Sequence, residues 1–172
     1  GKVIKNIDRS LESGDSIINT LLISMRDRVP VKNKAYFSMK ATIEAAIKDF
    51  CTHKRAFRKN ITLSVKGNFE YFGSFNYTKH VFINLLHNAY RYAGTDIKIQ
   101  ITISKNKVIF RDNGKGIPEH DLPHIFDRFY SGSDSSGLGL AFSKMVINDM
   151  GGSIICRSKL GEFTEFEIRI DS

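Results

Sequence analysis

The sequence predicts an α/β sandwich, a mixed β-sheet covered on one face by a layer of helices. Three observations carry this reading. Ile97, Ile99, Ile101 and Ile103 alternate with Lys98, Gln100, Thr102 and Ser104, the period-two pattern of a half-buried strand. Apolar residues at three- and four-residue spacing mark amphipathic helices before and after it. The elements then follow in the order helix, strand, helix, two strands, helix, two strands, which implies one layer of helices on a mixed sheet.

A helical seam comes first. Ile4, Ile7, Leu11, Ile18, Leu21 and Met25 repeat at alternating three- and four-residue steps, with Gly14 at the one missing position. Such a stripe wants a partner helix. It stops at Pro30, because proline and the residue before it break a helix. The domain boundary is therefore expected near residue 30, dividing the chain into residues 1–29 and 31–172. Ser38 is a good N-cap for the next helix, whose buried stripe is Ile43, Ala46, Ile47 and Phe50. Residues 61–65 alternate as a strand. Ser74 can cap a long helix reaching about Ala93. After the isoleucine strand, Lys105 and Asn106 make a hairpin turn into a strand at residues 108–111. Residues 137–150 read as a helix, and residues 154–157 with Phe166, Ile168 and Ile170 supply two closing strands. No internal repeat is visible.

Composition narrows the class. A chain of 172 residues, 41% hydrophobic, suits one soluble domain with a short appendage. No apolar run approaches the about 18–20 residues of a membrane span. Cys51 and Cys156 show neither disulfide-scaffold density nor metal-ligand spacing, and are read as free thiols of a reducing cytosol. The net charge of +8 is concentrated between Arg26 and Asn60, where ten basic residues face three acids. With no stacking platform and no groove-reading motif beside it, this stretch is read as a solvated face that steers anionic partners, not as a nucleic-acid site.

Four local features carry chemistry, each with a plainer alternative. On the helix before Ala93, at about 100° per residue, His80, Asn84, Asn88 and Arg91 fall within a sector of about 80°. Asparagine carbonyls suit a hard cation such as Mg²⁺, and the Arg91 fork suits phosphate. The alternative is a solvated helix face. Next, Asp112-Asn-Gly114-Lys-Gly116-Ile117 closes a strand. Its glycines permit close approach of a ligand, and its carboxylate can accept from an exocyclic amine, favouring adenine over guanine. The alternative is a turn with Asp112 as turn former. Then Phe126-Asp-Arg-Phe129-Tyr130 precedes the small polar tract of residues 131–136, suited to a hinged lid or to a surface loop pinned by two buried phenylalanines. Last, Gly137-Leu138-Gly139-Leu140 leads straight into a helix, whose free N–H groups make an anion site. It is neither a Rossmann fingerprint, lacking the preceding strand and third glycine, nor a Walker loop.

Together and in this order, the four features resemble the catalytic, ATP-binding domain of sensor histidine kinases, within the superfamily that includes gyrase and the Hsp90 chaperone. The resemblance covers residues 31–172. Asn84-Leu-Leu-His-Asn88-Ala-Tyr-Arg91-Tyr92 matches the N-box, Asp112-Asn-Gly114-Lys-Gly116 the G1 box, Phe126-Asp-Arg-Phe129 the F-box and Gly137-Leu-Gly139-Leu140 the G2 box. Gly161-Glu-Phe-Thr164-Glu-Phe166 is similar to the family's Gly-x-Gly-Thr-x-Phe strand, with Phe163 where glycine is usual. Residues 2–28 resemble the second helix of the dimerisation and phosphoacceptor hairpin, and the chain is similar to kinases of the hybrid, quorum-sensing type. The resemblance implies a Bergerat-type fold. It also implies that Asn88 coordinates Mg²⁺, Asn84 supports metal and phosphates, Arg91 replaces the usual lysine as a phosphate contact, and Tyr92 lines the pocket. Asp112 would bind the adenine amino group with Thr164 nearby through water, Gly114, Gly116 and Ile117 would line the base, and Gly137, Leu138, Gly139 and Leu140 would hinge the lid and face the phosphates. Ser131 stands where a basic residue often follows the F-box. His80 sits where relatives often carry glutamate, and is read as a pocket-edge histidine. The partners implied are a phosphoacceptor helix hairpin, a response regulator or receiver domain, and a second copy in a homodimeric parent. The parent's anchor would be the inner membrane, with this part cytoplasmic. His120-Asp-Leu-Pro123 partly matches a phosphoacceptor pattern, but lies in a proline-flanked stretch rather than on an amphipathic helix.

Two other readings stay open. A gyrase- or chaperone-type ATPase uses a carboxylate on the first helix to activate water, and no Glu or Asp lies between His80 and Ala93. A docking module that kept the fold would bind no nucleotide.

Overall fold

A computed structural model of the chain describes residues 33–92, 96–130 and 137–171. The seam of residues 4–25, the boundary near residue 30, Ala93, Ser131 and the rest of the polar tract lie outside the described residues. The described elements are β1 (Lys34–Ser38), α1 (Met39–Cys51), β2 (Ile61–Val65), β3 (Glu70–Ser74), α2 (Phe75–Arg91), β4 (Ile99–Ser104), β5 (Lys107–Asp112), α3 (Gly139–Asp149), β6 (Gly152–Lys159) and β7 (Phe163–Ile170).

Five strands form the main sheet in the order β2-β4-β5-β7-β6. The β2–β4 pair is parallel and the other three are antiparallel, so the sheet is mixed as expected. A parallel pair needs a crossover, and α2 lies within the segment that supplies it. The isoleucine alternation works as the sequence predicts: Ile99, Ile101 and Ile103 are fully buried, while Gln100 between them is exposed. On β5, Val108 and Phe110 join them on the helix side. Ile43, Ala46, Ile47 and Phe50 of α1, and Val81, Phe82, Leu85 and Leu86 of α2, close over that face.

Both predicted N-caps are present. Ser38 Oγ accepts from the Ala41 N–H at 3.2 Å and Ser74 Oγ from the Tyr77 N–H at 3.3 Å. Immediately before each cap is a short strand that the sequence reading omits. β1 and β3 pair antiparallel as a separate two-stranded sheet, with Tyr36 opposite Phe72. Each is only five residues long and ends on the serine that caps the next helix. Both place apolar residues side by side, Ala35-Tyr36-Phe37 in β1 and Tyr71-Phe72 in β3, so no period-two alternation marks them as strands. A 3-10 helix, Arg55–Asn60, also intervenes before β2, and Asn60 Nδ2 donates to the Ile97 carbonyl at 2.7 Å. The third helix starts at Gly139 rather than residue 137, because Gly137 has φ +69° and cannot be helical. Cys51 and Cys156 are free thiols, as read.

Candidate functional site

On β5 the core stripe of Val108 and Phe110 ends in an acid. Asp112 is only 7% exposed, and its Oδ1 accepts the Gly114 N–H at 2.8 Å. Burial pushes the carboxyl above its ordinary range, and that one N–H opposes the shift. Thr164 sits opposite in the β5–β7 register. Its Oγ1 lies 3.2 Å from Ser158 Oγ, which accepts the Ile117 N–H at 2.7 Å and donates to the Phe163 carbonyl at 2.6 Å.

The two glycines of this loop answer to close approaches. A Cβ on Gly114 would lie 2.8 Å from Asp112 Oδ1 and 3.3 Å from the Tyr92 carbonyl oxygen. Gly116 has φ +73°, and a Cβ there would come within 2.3 Å of the Lys159 carbonyl oxygen. The loop is fastened a second time where the Gly161 N–H donates to the Lys115 carbonyl at 2.6 Å. Lys115 Nζ stands 4.2 Å from the Tyr92 ring centroid. Tyr92, Asp112, Gly114, Gly116, Ile117 and Thr164 are thus brought together at one end of the sheet.

α2 links this cluster to the glycine-led helix. Asn84 Nδ2 donates to the Gly139 carbonyl at 3.2 Å, and a Cβ on Gly139 would sit 3.6 Å from Asn84 Cγ. One turn on, Asn88 is half-buried, and its carbonyl accepts the Tyr92 N–H at 3.3 Å. The row Asn84, Asn88, Tyr92 therefore runs from the start of α3 to the Asp112 loop. Leu138, at the N-cap of α3, is buried and gives no side-chain cap, and Leu140 is half-buried. Arg91 is exposed at the last residue of α2. His80 packs edge-on against Phe142 at 5.3 Å, and burial, then Lys79, lowers its pKa.

The segment containing Phe126 departs from the reading of two buried phenylalanines. Phe126 is the anchor, edge-on to Phe166 at 6.3 Å, whereas Phe129 is 70% exposed. Phe129 instead closes the loop base through its backbone: its N–H donates to the Gly137 carbonyl at 3.0 Å, with both residues at positive φ. His120 has a side chain 82% exposed in a turn, off any helix.

Residues 75–172 match the family model of histidine kinase-, DNA gyrase B-, and HSP90-like ATPases. The chain belongs to this family. Within it the chain is of the sensor-histidine-kinase catalytic type. The CAI-1 autoinducer sensor kinase/phosphatase CqsS of Vibrio cholerae is 34% identical over 172 residues, covering 96% of this chain and 25% of that protein. The autoinducer 1 sensor kinase/phosphatase LuxN of Vibrio harveyi is 32% identical over 174 residues, covering 96% of this chain and 20% of that protein. The chain therefore spans a quarter or less of the length of these relatives. Among solved structures, the catalytic domain of histidine kinase ThkA, in a nucleotide-free form, is 27% identical with a TM-score of 0.64, over 80% of this chain and 95% of that one. These findings bear out the sandwich fold and the kinase resemblance.

Three participants of this kinase-type domain escape sequence reading. Ser158 ties the Asp112 loop to β7, the Lys159 carbonyl excludes any side chain at Gly116, and Lys115 covers Tyr92. Ser158 and Lys159 become neighbours of the loop only through the β6–β7 register, which no local pattern encodes. For Lys115, its position between two glycines was the available signal.

Proposed function

We propose that this domain binds Mg-ATP between α2, the Asp112 loop and the start of α3, and passes the γ-phosphoryl group to a histidine on a phosphoacceptor hairpin outside residues 31–172. The observation that carries the reading is Asp112, a nearly buried carboxylate held at the end of β5 beside Thr164. An adenine amino group offers the donor such a carboxylate lacks, whereas the guanine oxygen would repel it. Thr164 assists through water, and Gly114, Gly116 and Ile117 line the base.

The donor set suits a hard cation. Asn84 spends an amide N–H on Gly139, and among the described residues neither the Asn84 oxygen nor the Asn88 carboxamide has a hydrogen-bond partner. Asn88 would hold the ion with Asn84 in support, and Mg²⁺ bound there supplies charge neutralisation between phosphate oxygens. Arg91 offers its fork to a phosphate. The uncapped N–H groups at Leu138, Gly139 and Leu140, with Gly137 as hinge, receive the phosphates. In the transfer, the bond from γ-phosphorus to the bridging oxygen breaks to leave ADP, and a phosphorus–nitrogen bond forms to the imidazole. The chain contributes position and charge rather than a covalent step.

A response regulator or receiver domain then takes the phosphoryl group, and the parent works as a homodimer anchored at the inner membrane, with this domain on the cytoplasmic side. No described helix is long and apolar enough to cross a membrane. An ATPase reading is disfavoured because α2 holds no Asp or Glu to activate water.

Titration with a fluorescent ATP analogue tests the site. Saturable, Mg-dependent binding is expected, with Asp112→Asn weakening it about ten- to hundredfold through loss of a charge-assisted hydrogen bond. Metal-independent binding, or no loss in the variant, overturns the reading. Steady ATP hydrolysis by the chain alone would favour the ATPase instead.

A further inference from the structure

The sheet edge farthest from β6 bears a second feature. β2 is an edge strand, paired only with β4 among the described residues. The Lys66 N–H donates to the Ile103 carbonyl at 2.8 Å, so even-numbered residues here turn their backbone groups toward β4 and odd-numbered ones turn outward. Ile61 satisfies its outward groups on Arg58, giving its N–H to the Arg58 carbonyl and accepting Arg58 Nη1 at 2.8 Å. Leu63 and Val65 follow in the same outward register, with no strand beside them among the described residues.

Between this edge and α1 lies a groove of about 980 Å³. Leu63 and Val65 belong to its floor, Val65 being 40% exposed. Its rim carries Lys40, Lys48, Arg55 and Arg58 against a single acid, Glu44, which pairs with Lys40 at 3.9 Å. Lys40, Glu44 and Lys48 recur every four residues along one side of α1, so the cations stand in a row beside the strand edge.

We infer that the β2 edge and the α1 rim together dock an acidic, extended protein segment, which adds a sixth strand to the main sheet. Its backbone pairs with Leu63 and Val65, alternate apolar side chains cover the floor, and Asp or Glu side chains meet Lys48, Arg55 and Arg58. Charge complementarity sets the sign of the partner. The concave floor and the unpaired backbone favour a strand over a flat anionic membrane, which would use the cations but neither of those features.

The chain is mixed with a short fluorescein-labelled peptide alternating valine with glutamate. Saturable anisotropy is expected, together with slowed amide exchange at Leu63 and Val65, a readout that needs no variant. Lys48→Glu with Arg55→Glu should weaken binding about tenfold, and Val65→Pro should weaken it similarly with every cation kept. Circular dichroism and ATP-analogue binding report whether each variant folds. Several results would overturn the inference. They are no saturable binding, equal binding of a valine–lysine peptide, unchanged exchange at Leu63 and Val65, or tighter binding of an acidic alanine-based helical peptide or of phosphatidylserine vesicles.

Discussion

Asp112 shows one side chain set against the stability of its own fold. Its carboxyl titrates above the ordinary 3.8 because burial penalises the charged form. A folded-state pKa raised above the unfolded value means that the native state binds more protons in between, so stability falls as pH rises through that window. Asp112→Asn keeps an oxygen for the Gly114 N–H and removes the buried charge. Chemical denaturation at neutral pH should therefore find the variant at least as stable as the parent chain, even as its nucleotide affinity drops. Gly116 makes the opposite case. Alanine there meets both φ +73° and a carbonyl oxygen at 2.3 Å. Gly116→Ala should cost about 2 kcal/mol or more in a urea titration, since backbone rather than a flexible side chain must yield. Alanine at Gly161 meets no atom within 4 Å and only its positive φ, so it should cost less. The importance of Asp112 and Gly116 was legible in the motif they share. That Gly116 packs on Lys159 was not, because the two residues are far apart in sequence.

Between elements, β6 and β7 share a ladder of charges on the sheet face away from the helices. Glu167, 7% exposed, accepts from Arg169 Nε at 2.6 Å and from Arg157 Nη1 at 3.0 Å, while Glu165 accepts from Arg111 at 3.0 Å. These bonds, that from Arg169 first, hold the Glu167 carboxyl below its ordinary 4.5. A depressed folded pKa contributes stability that is fully present above 4.5 and is lost as pH falls through the native value. Denaturation midpoints measured across the acid range should show this slope, and Glu167→Gln should flatten it while lowering stability at neutral pH. An unchanged slope would mean that the ion pairs of Glu167 with Arg169 and Arg157 contribute nothing. Long elements were legible from local pattern: the isoleucine strand, the stripe of α1 and the caps at Ser38 and Ser74 all stand where the residues indicate. β1 and β3 were not legible, because their apolar residues are adjacent, Ala35-Tyr36-Phe37 and Tyr71-Phe72, and only their pairing with each other makes them strands.

At the scale of the molecule, the proposed function separates two jobs, positioning ATP and accepting the phosphoryl group. On the proposed function, with the acceptor histidine on a separate hairpin, the chain should bind ADP and ATP yet label itself poorly. Incubation with γ-labelled ATP should leave little acid-labile phosphate on the chain, and strong self-labelling would contradict the assignment of the acceptor to another hairpin. By itself the sequence determined the sandwich, the caps, the four motifs and their order, since each depends on contacts within a few residues or on a period repeated along one element. Only tertiary structure decided that Asp112 faces Thr164, that Asn84 reaches Gly139, and that β2 lies at the sheet edge of the described residues beside a cationic helix. Those facts depend on strand order and register, which arise when distant segments bury their apolar faces together.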